Sequence, residues 1–198
     1  MITDSIKYIK KLKLPLTMDE IVGLSCGEEL LLSGIVFTVR DAAHKRITQL
    51  MEAGEELPFS LKNQTIYYVG PAPARPKKVI GSCGPTTSGR MDKYTPVMLD
   101  EGIKVMIGKG PRSQEVVESI AKNKAVYLAA VGGAAALLAQ RVVAAEIIAF
   151  PELGPEAVYK LKIENFPCFV VIDAHGNNLY KDRNDNITKA QHQPLQNP

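Results

Sequence analysis

Apolar residues run along this chain in two rhythms, short unbroken stretches and helical stripes. The stretch ELLLSGIVFTV, Glu29 to Val39, is rich in Leu, Ile, Val and Phe and predicts one or two strands, with Gly34 as a bulge or a close backbone approach. It gives way at once to charge. From Arg40 to Met51, Ala43, Ile47, Leu50 and Met51 recur at i, i+4, i+7 and i+8, the stripe of an amphipathic helix. Arg40 is thereby placed at a strand-to-helix junction, and His44 on the polar side of the helix. Upstream, Thr17 with Asp19 and Glu20 behind it predicts a short capped helix. Downstream, Thr65–Val69, Ile103–Ile107 and Ala125–Ala130 read as strands, and Ser113 caps a helix carrying Val116, Val117, Ile120 and Ala121. A small-residue helix is expected from Ala134 to about Ala145, another helix near Glu156–Leu161, and a strand from Cys168 to Asp173 that turns at His175-Gly176-Asn177-Asn178. Strands alternating with helices, and reading as continuous apolar runs, imply a mostly parallel sheet covered on both faces.

Two connectors stand apart. Gly70 to Pro76 carries three prolines, which lock φ and remove donors, so it is a loop. Gly81 to Asp92, GSCGPTTSGRMD, is small, polar and glycine-rich beside a strand; such a loop offers many N–H groups and hydroxyls, the composition of an anion cradle.

Composition narrows the class. At 198 residues and 45% hydrophobic, the chain suits one domain spanning 1–198, with a core of about 14–180 and a polar tail from 181 to 198. A net charge of +3 does not advertise a nucleic-acid groove, and the runs Lys7–Lys13 and Arg75–Lys78 read as solvated faces. The absence of Trp leaves few stacking platforms for single strands. The uncharged run Ala125–Gln140 contains two glycines and falls short of the roughly 18 apolar residues of a membrane span. With no apolar leader at the amino terminus, a cytoplasmic location and no membrane partner are expected. The three cysteines, Cys26, Cys83 and Cys168, are dispersed without a C-x-x-C pair or a His at ligand spacing, so this chain alone cannot hold a four-thiolate metal site, and the odd count argues against a disulfide framework.

Candidate chemistry rests on three cations. Arg40 ends a strand, Arg90 closes the Gly-Pro-Thr-Thr-Ser-Gly loop, and Lys109 sits between two glycines that let it reach outward. Together they suit two carboxylates or a phosphate, because Arg binds carboxylate bidentately and Lys as a point charge. The alternative is three ordinary surface charges. Thr86 and Thr87 are a hydroxyl pair near two of these cations, either a reactive group needing a stabilised alkoxide or a capped turn. His44 has two readings, proton shuttle or structural histidine, and Cys83 two, nucleophile or buried small hydrophobe. Gly132-Gly133 after a strand lacks the third glycine of a dinucleotide fingerprint and reads more simply as close packing.

Five strings in register carry a resemblance: TVRDAAHKR (Thr38–Arg46), GPTTSGRMDKYTP (Gly84–Pro96), IGKG (Ile107–Gly110), AVYLAAVGGAAALLAQ (Ala125–Gln140) and ENFPCFVVIDAHGN (Glu164–Asn177). They resemble the beta subunit of class I, iron–sulfur fumarate hydratase and L-tartrate dehydratase, a region that is the carboxy-terminal domain in single-chain members. The resemblance implies a three-layer β/β/α swivelling domain with a mostly parallel central sheet. It implies a hydro-lyase active only with an alpha subunit, in an assembly of two alpha and two beta chains. The alpha subunit would carry a [4Fe-4S] cluster with one iron open to substrate, and this chain no metal ligand. It further implies that Arg40, Arg90 and Lys109 bind the dicarboxylate and that Thr86 is the base that removes the C3 proton. One departure is Ser88, at a place where alanine is as often expected. The competing expectation is a stand-alone anion-binding or regulatory α/β module that uses the same loop without chemistry.

Overall fold

A computed structural model describes residues 9–130 and 135–181, so Gly132-Gly133, Lys7 and the polar tail beyond Lys181 lie outside the described residues. The described chain folds around a sheet of seven strands in the order β1-β2-β3-β4-β5-β7-β6. β1 (Lys10–Lys13), β2 (Glu29–Thr38), β3 (Thr65–Tyr67), β4 (Val105–Gly108) and β5 (Val126–Ala130) pair in parallel; β2 to β5 are the apolar runs of a covered sheet, and β1, Lys-Lys-Leu-Lys, is a lysine-rich edge. β6 (Val142–Ala149) and β7 (Val158–Ile172) run antiparallel. β7 also pairs with β2, so that β2, β3, β4, β5 and β7 close into a barrel.

Alternate positions on each strand serve two cores. Leu30, Leu32, Tyr67, Val105, Ile107, Leu128, Phe166 and Val170 are drawn from all five barrel strands and meet in one cluster. Their neighbours Ile66, Met106, Tyr127 and Val171 face the other way, against Ile47 of α2 (Asp41–Ala53), Leu99 of α3 (Thr95–Asp100) and Ile120 of α4 (Gln114–Lys122). This period of two explains why β3 and β4 are buried throughout. Ahead of them, α1 (Met18–Val22) starts at the expected Thr17, whose side chain accepts from the Glu20 N–H while the Glu20 carboxylate accepts from the Thr17 N–H. Gly34 does mark a bulge: φ is +138° there, and a Cβ would lie 2.8 Å from Leu14.

Three expectations are corrected. The small-residue helix ends early: α5 covers only Ala135–Ala139, and Val142–Ala149 is strand β6, because its Val and Ile residues pair with β7. The helix expected at Glu156–Leu161 is instead the start of β7, preceded by a 3₁₀ segment at Pro151–Glu156. There Val158, Leu161 and Ile163 are buried while Lys160 and Lys162 face solvent, close to the period of a half-buried strand. Lastly, His44 is buried rather than polar-side, because it stands three residues before Ile47 on the inner stripe of α2.

Candidate functional site

The candidate residues gather where parallel strands end, the edge at which open α/β sheets gather ligands. β2 delivers Arg40, β3 leads to Gly70, and β4 delivers Lys109. The glycine-rich loop crosses the same edge. The Thr86 N–H donates to the Tyr68 carbonyl (2.7 Å), the Ser88 N–H donates to the Lys109 carbonyl (2.9 Å), and Thr87 bridges to Lys109 as an added parallel rung. Backbone pairing therefore ties the loop at Thr86 to Tyr68 and at Thr87 and Ser88 to Lys109, with Arg90 following two residues beyond Ser88.

Arg40 occupies the N-cap of α2 but donates no capping bond. Its guanidinium lies across Gly70, where a Cβ would come within 2.5 Å of Nη1, and its Nη2 is 3.4 Å from Glu156 Oε1. Glu156 also caps the helix, accepting the Ala42 N–H through Oε2 at 2.7 Å. Arg40 Nε is buried with no hydrogen-bond partner among the described residues. An orphaned charged donor of this kind is costly unless a ligand satisfies it. Arg90, with its side chain 53% exposed, donates from Nε to Asp41 Oδ1 at 3.1 Å and brings Nη2 within 2.9 Å of Asp41 Oδ2. Arg40 Nη2 reaches the same Oδ2 at 3.9 Å, so the two arginines converge on one carboxylate. Lys109 is exposed.

His44 is the structural histidine, not a shuttle. Its Nδ1 donates to the Arg40 carbonyl at 2.9 Å, and its ring lies against Tyr68 and Tyr94. Burial, helped by the Arg112 charge, pushes its pKa down to about 4, leaving the ring neutral.

Sequence reasoning missed the most buried cation. The Arg112 side chain is 0% exposed; Nε donates to Asp92 Oδ1 and Nη2 to Thr95 Oγ1, both at 2.6 Å. Its guanidinium lies 5.3 Å from the Tyr68 ring and 5.0 Å from that of Tyr127. A single Arg in the turn Gly110-Pro111-Arg112-Ser113 carries no pattern that distinguishes it from a solvated charge. Asp41 and Glu156 were missed for the same reason, since carboxylates in first turns and loops are ordinary.

Burial governs the three cysteines. Burial pushes the Cys83 thiol up to about 12 and raises Cys168 as well. Burial and then the neighbouring Asp173 charge push Cys26 up to about 11. Among the described residues no three His, Cys, Asp or Glu side chains are grouped to hold a metal ion. Cys83 is thus the buried small residue, its carbonyl accepting from Tyr67 Oη at 2.6 Å.

A family model described as Fumarase C-terminus matches residues 3–183. The anaerobic class I fumarate hydratase of Escherichia coli K12 is 42% identical over 154 residues, covering 77% of this chain and 28% of that protein. Fumarate hydratase 2 of Leishmania major is 38% identical over 180 residues, 90% of this chain and 32% of that protein. The chain spans about a third of the length of these two relatives. A Methanocaldococcus jannaschii protein provisionally named L(+)-tartrate dehydratase subunit beta is 38% identical over 178 residues, covering 87% of this chain and 91% of its own length.

Proposed function

The chain belongs to the fumarase C-terminal family, and from that premise we propose that it is the beta subunit of a hydro-lyase that adds water reversibly across a four-carbon dicarboxylate. The substrate would be fumarate or L-tartrate, after the names its relatives carry. In this reading Arg40, Arg90 and Lys109 hold the two carboxylates. The observation that carries it is the buried, unpartnered Nε of Arg40, beside a second arginine held by the same Asp41. A carboxylate arriving there satisfies Nε and competes with Asp41 for the forks.

Thr86 is the base that takes the C3 proton in dehydration and returns it in hydration. A threonine hydroxyl is far too weak an acid to do this unaided, so its alkoxide depends on the nearby cations. The same cations offset the charge that builds on the carboxylate as the C3 proton leaves.

The iron–sulfur centre of the class I family does not fit the described residues of this chain, and we assign it to a separate alpha chain, in an assembly of two alpha and two beta chains. Arg90 and Lys109 are exposed, leaving an open side for that partner to cover. The barrel's inner cluster between strands, with helices outside, supports a three-layer β/β/α arrangement of the swivelling kind. This reading takes the enzyme to be cytoplasmic. No helix among the described residues is long and apolar enough to cross a membrane.

Anaerobic reconstitution with a cluster-bearing alpha chain, followed by the ultraviolet absorbance of fumarate, tests this. Thr86→Val is expected to assemble without turnover, and Arg90→Ala to lose about 100-fold or more in kcat/KM. Undiminished turnover by Thr86→Val would remove it as the base; by Arg90→Ala, it would remove the anion site.

A further inference from the structure

Arg112 touches residues that neighbour the candidate ones without being at the site itself: Asp92 beyond Arg90, Met106 of β4, and the rings of Tyr68 and Tyr127. Its guanidinium lies between the rings of Tyr68 and Tyr127. The Tyr68 carbonyl anchors the Thr86 N–H. Tyr127 Oη lies 2.9 Å from Ser88 Oγ and 2.9 Å from the Gly110 carbonyl, and Ser88 Oγ accepts the Lys109 N–H at 3.1 Å. Asp92, the carboxylate paired with Arg112, stands two residues beyond Arg90 and also accepts the Ser113 N–H at 2.6 Å. A Cβ at Gly108 would collide with Ser88 Oγ, so Ser88 and β4 are in the closest contact the chain allows.

A buried cation is an expensive way to fill a core, and replacing such a pair by apolar residues is often neutral or stabilising. An apolar side chain could not at once hold Asp92 and Thr95 by directional bonds and set a cation against the rings of Tyr68 and Tyr127. We propose that Arg112 is a positioning residue that sets the spacing between Thr86 and Lys109, through Tyr68 on one side and through Tyr127 and Ser88 on the other. The significance of that spacing rests on the hydro-lyase reading above; the spacing itself does not. The Ser88 hydroxyl, bonded to the Lys109 N–H and to Tyr127 Oη, is then a working part of the tie.

The test uses the full chain in complex with its alpha partner, as Tyr127→Phe, which removes one oxygen and keeps the ring, and as Arg112→Lys, which keeps the charge and loses the fork. Hydrogen exchange at individual amides reads the tie without turnover. In both variants the Lys109 amide is expected to exchange about tenfold faster, with Ile107 in β4 unchanged. Per folded complex, kcat is expected to fall about 100-fold in Arg112→Lys, with a smaller change in KM, because misplacement of a base acts on the chemical step. If exchange at Lys109 is unchanged in Tyr127→Phe, or if it rises equally at Ile107, Arg112 is a packing residue and the proposal is overturned. Where Arg112→Lys does not fold, Tyr127→Phe decides. A wild-type complex inert toward fumarate, malate and tartrate would remove the hydro-lyase reading, while the exchange data would still decide the positioning role.

Discussion

His44 shows how one buried side chain makes stability depend on pH. Its ring is neutral in the fold because burial, aided by the Arg112 charge, holds the pKa near 4 against an ordinary 6.5; the Arg40 carbonyl and Asp41 pull the other way without prevailing. The unfolded chain therefore binds a proton that the folded chain refuses between those values. Stability is full above about pH 6.5 and falls as pH drops toward 4, by about 3 kcal/mol in total. Thermal melts across that window should show the slope, and His44→Gln, which keeps an N–H for the Arg40 carbonyl, should flatten it; an unchanged slope would refute the assignment. Three of the four candidate residues were legible from local chemistry: a strand-end arginine, a lysine between glycines and an arginine closing a glycine-rich loop. Thr86 needed the family resemblance, because a hydroxyl in a turn looks the same whether it reacts or caps. Arg112 was not legible at all, since its burial arises from Tyr68, just past β3, and Tyr127 of β5, both far from it in the chain.

At the scale of elements, α2 begins without a cap of its own, and the cap comes from Glu156 of a distant segment. Removing that carboxylate with Glu156→Ala is expected to cost about 1 kcal/mol in denaturant unfolding, as lost N-caps do, and to release Arg40 as well. Glu156→Gln, which keeps an acceptor oxygen, should recover most of the stability but not the charge facing Arg40. Strands β2 to β5 and helices α2 and α4 were all legible, because each buries a strongly periodic face. Two stretches, Val142–Ala145 and Val158–Leu161, were misjudged as helix. The alanines of the first favour helix locally, and the strand state of both depends on β6 and β7 finding each other across a loop, a gain that appears only after folding.

For the whole molecule, closure of the barrel joins all five of its strands to one inner core. Leu128 is fully buried there, so Leu128→Ala is expected to cost about 2–5 kcal/mol in a single urea transition; two separate transitions would show that the two cores unfold independently. The cations stand at the rim of this barrel, with Arg90 half-exposed and Lys109 facing out. By itself the sequence determined the parallel strand–helix order, three cations and a loop suited to an anion, because these follow from local periodicity and residue chemistry. Only tertiary structure decided that β7 closes the barrel onto β2, that Asp41 gathers both arginines, and that Arg112 is buried against Tyr68 and Tyr127. Those are pairings between residues far apart in the chain, and their free energy exists only once the chain has brought them together.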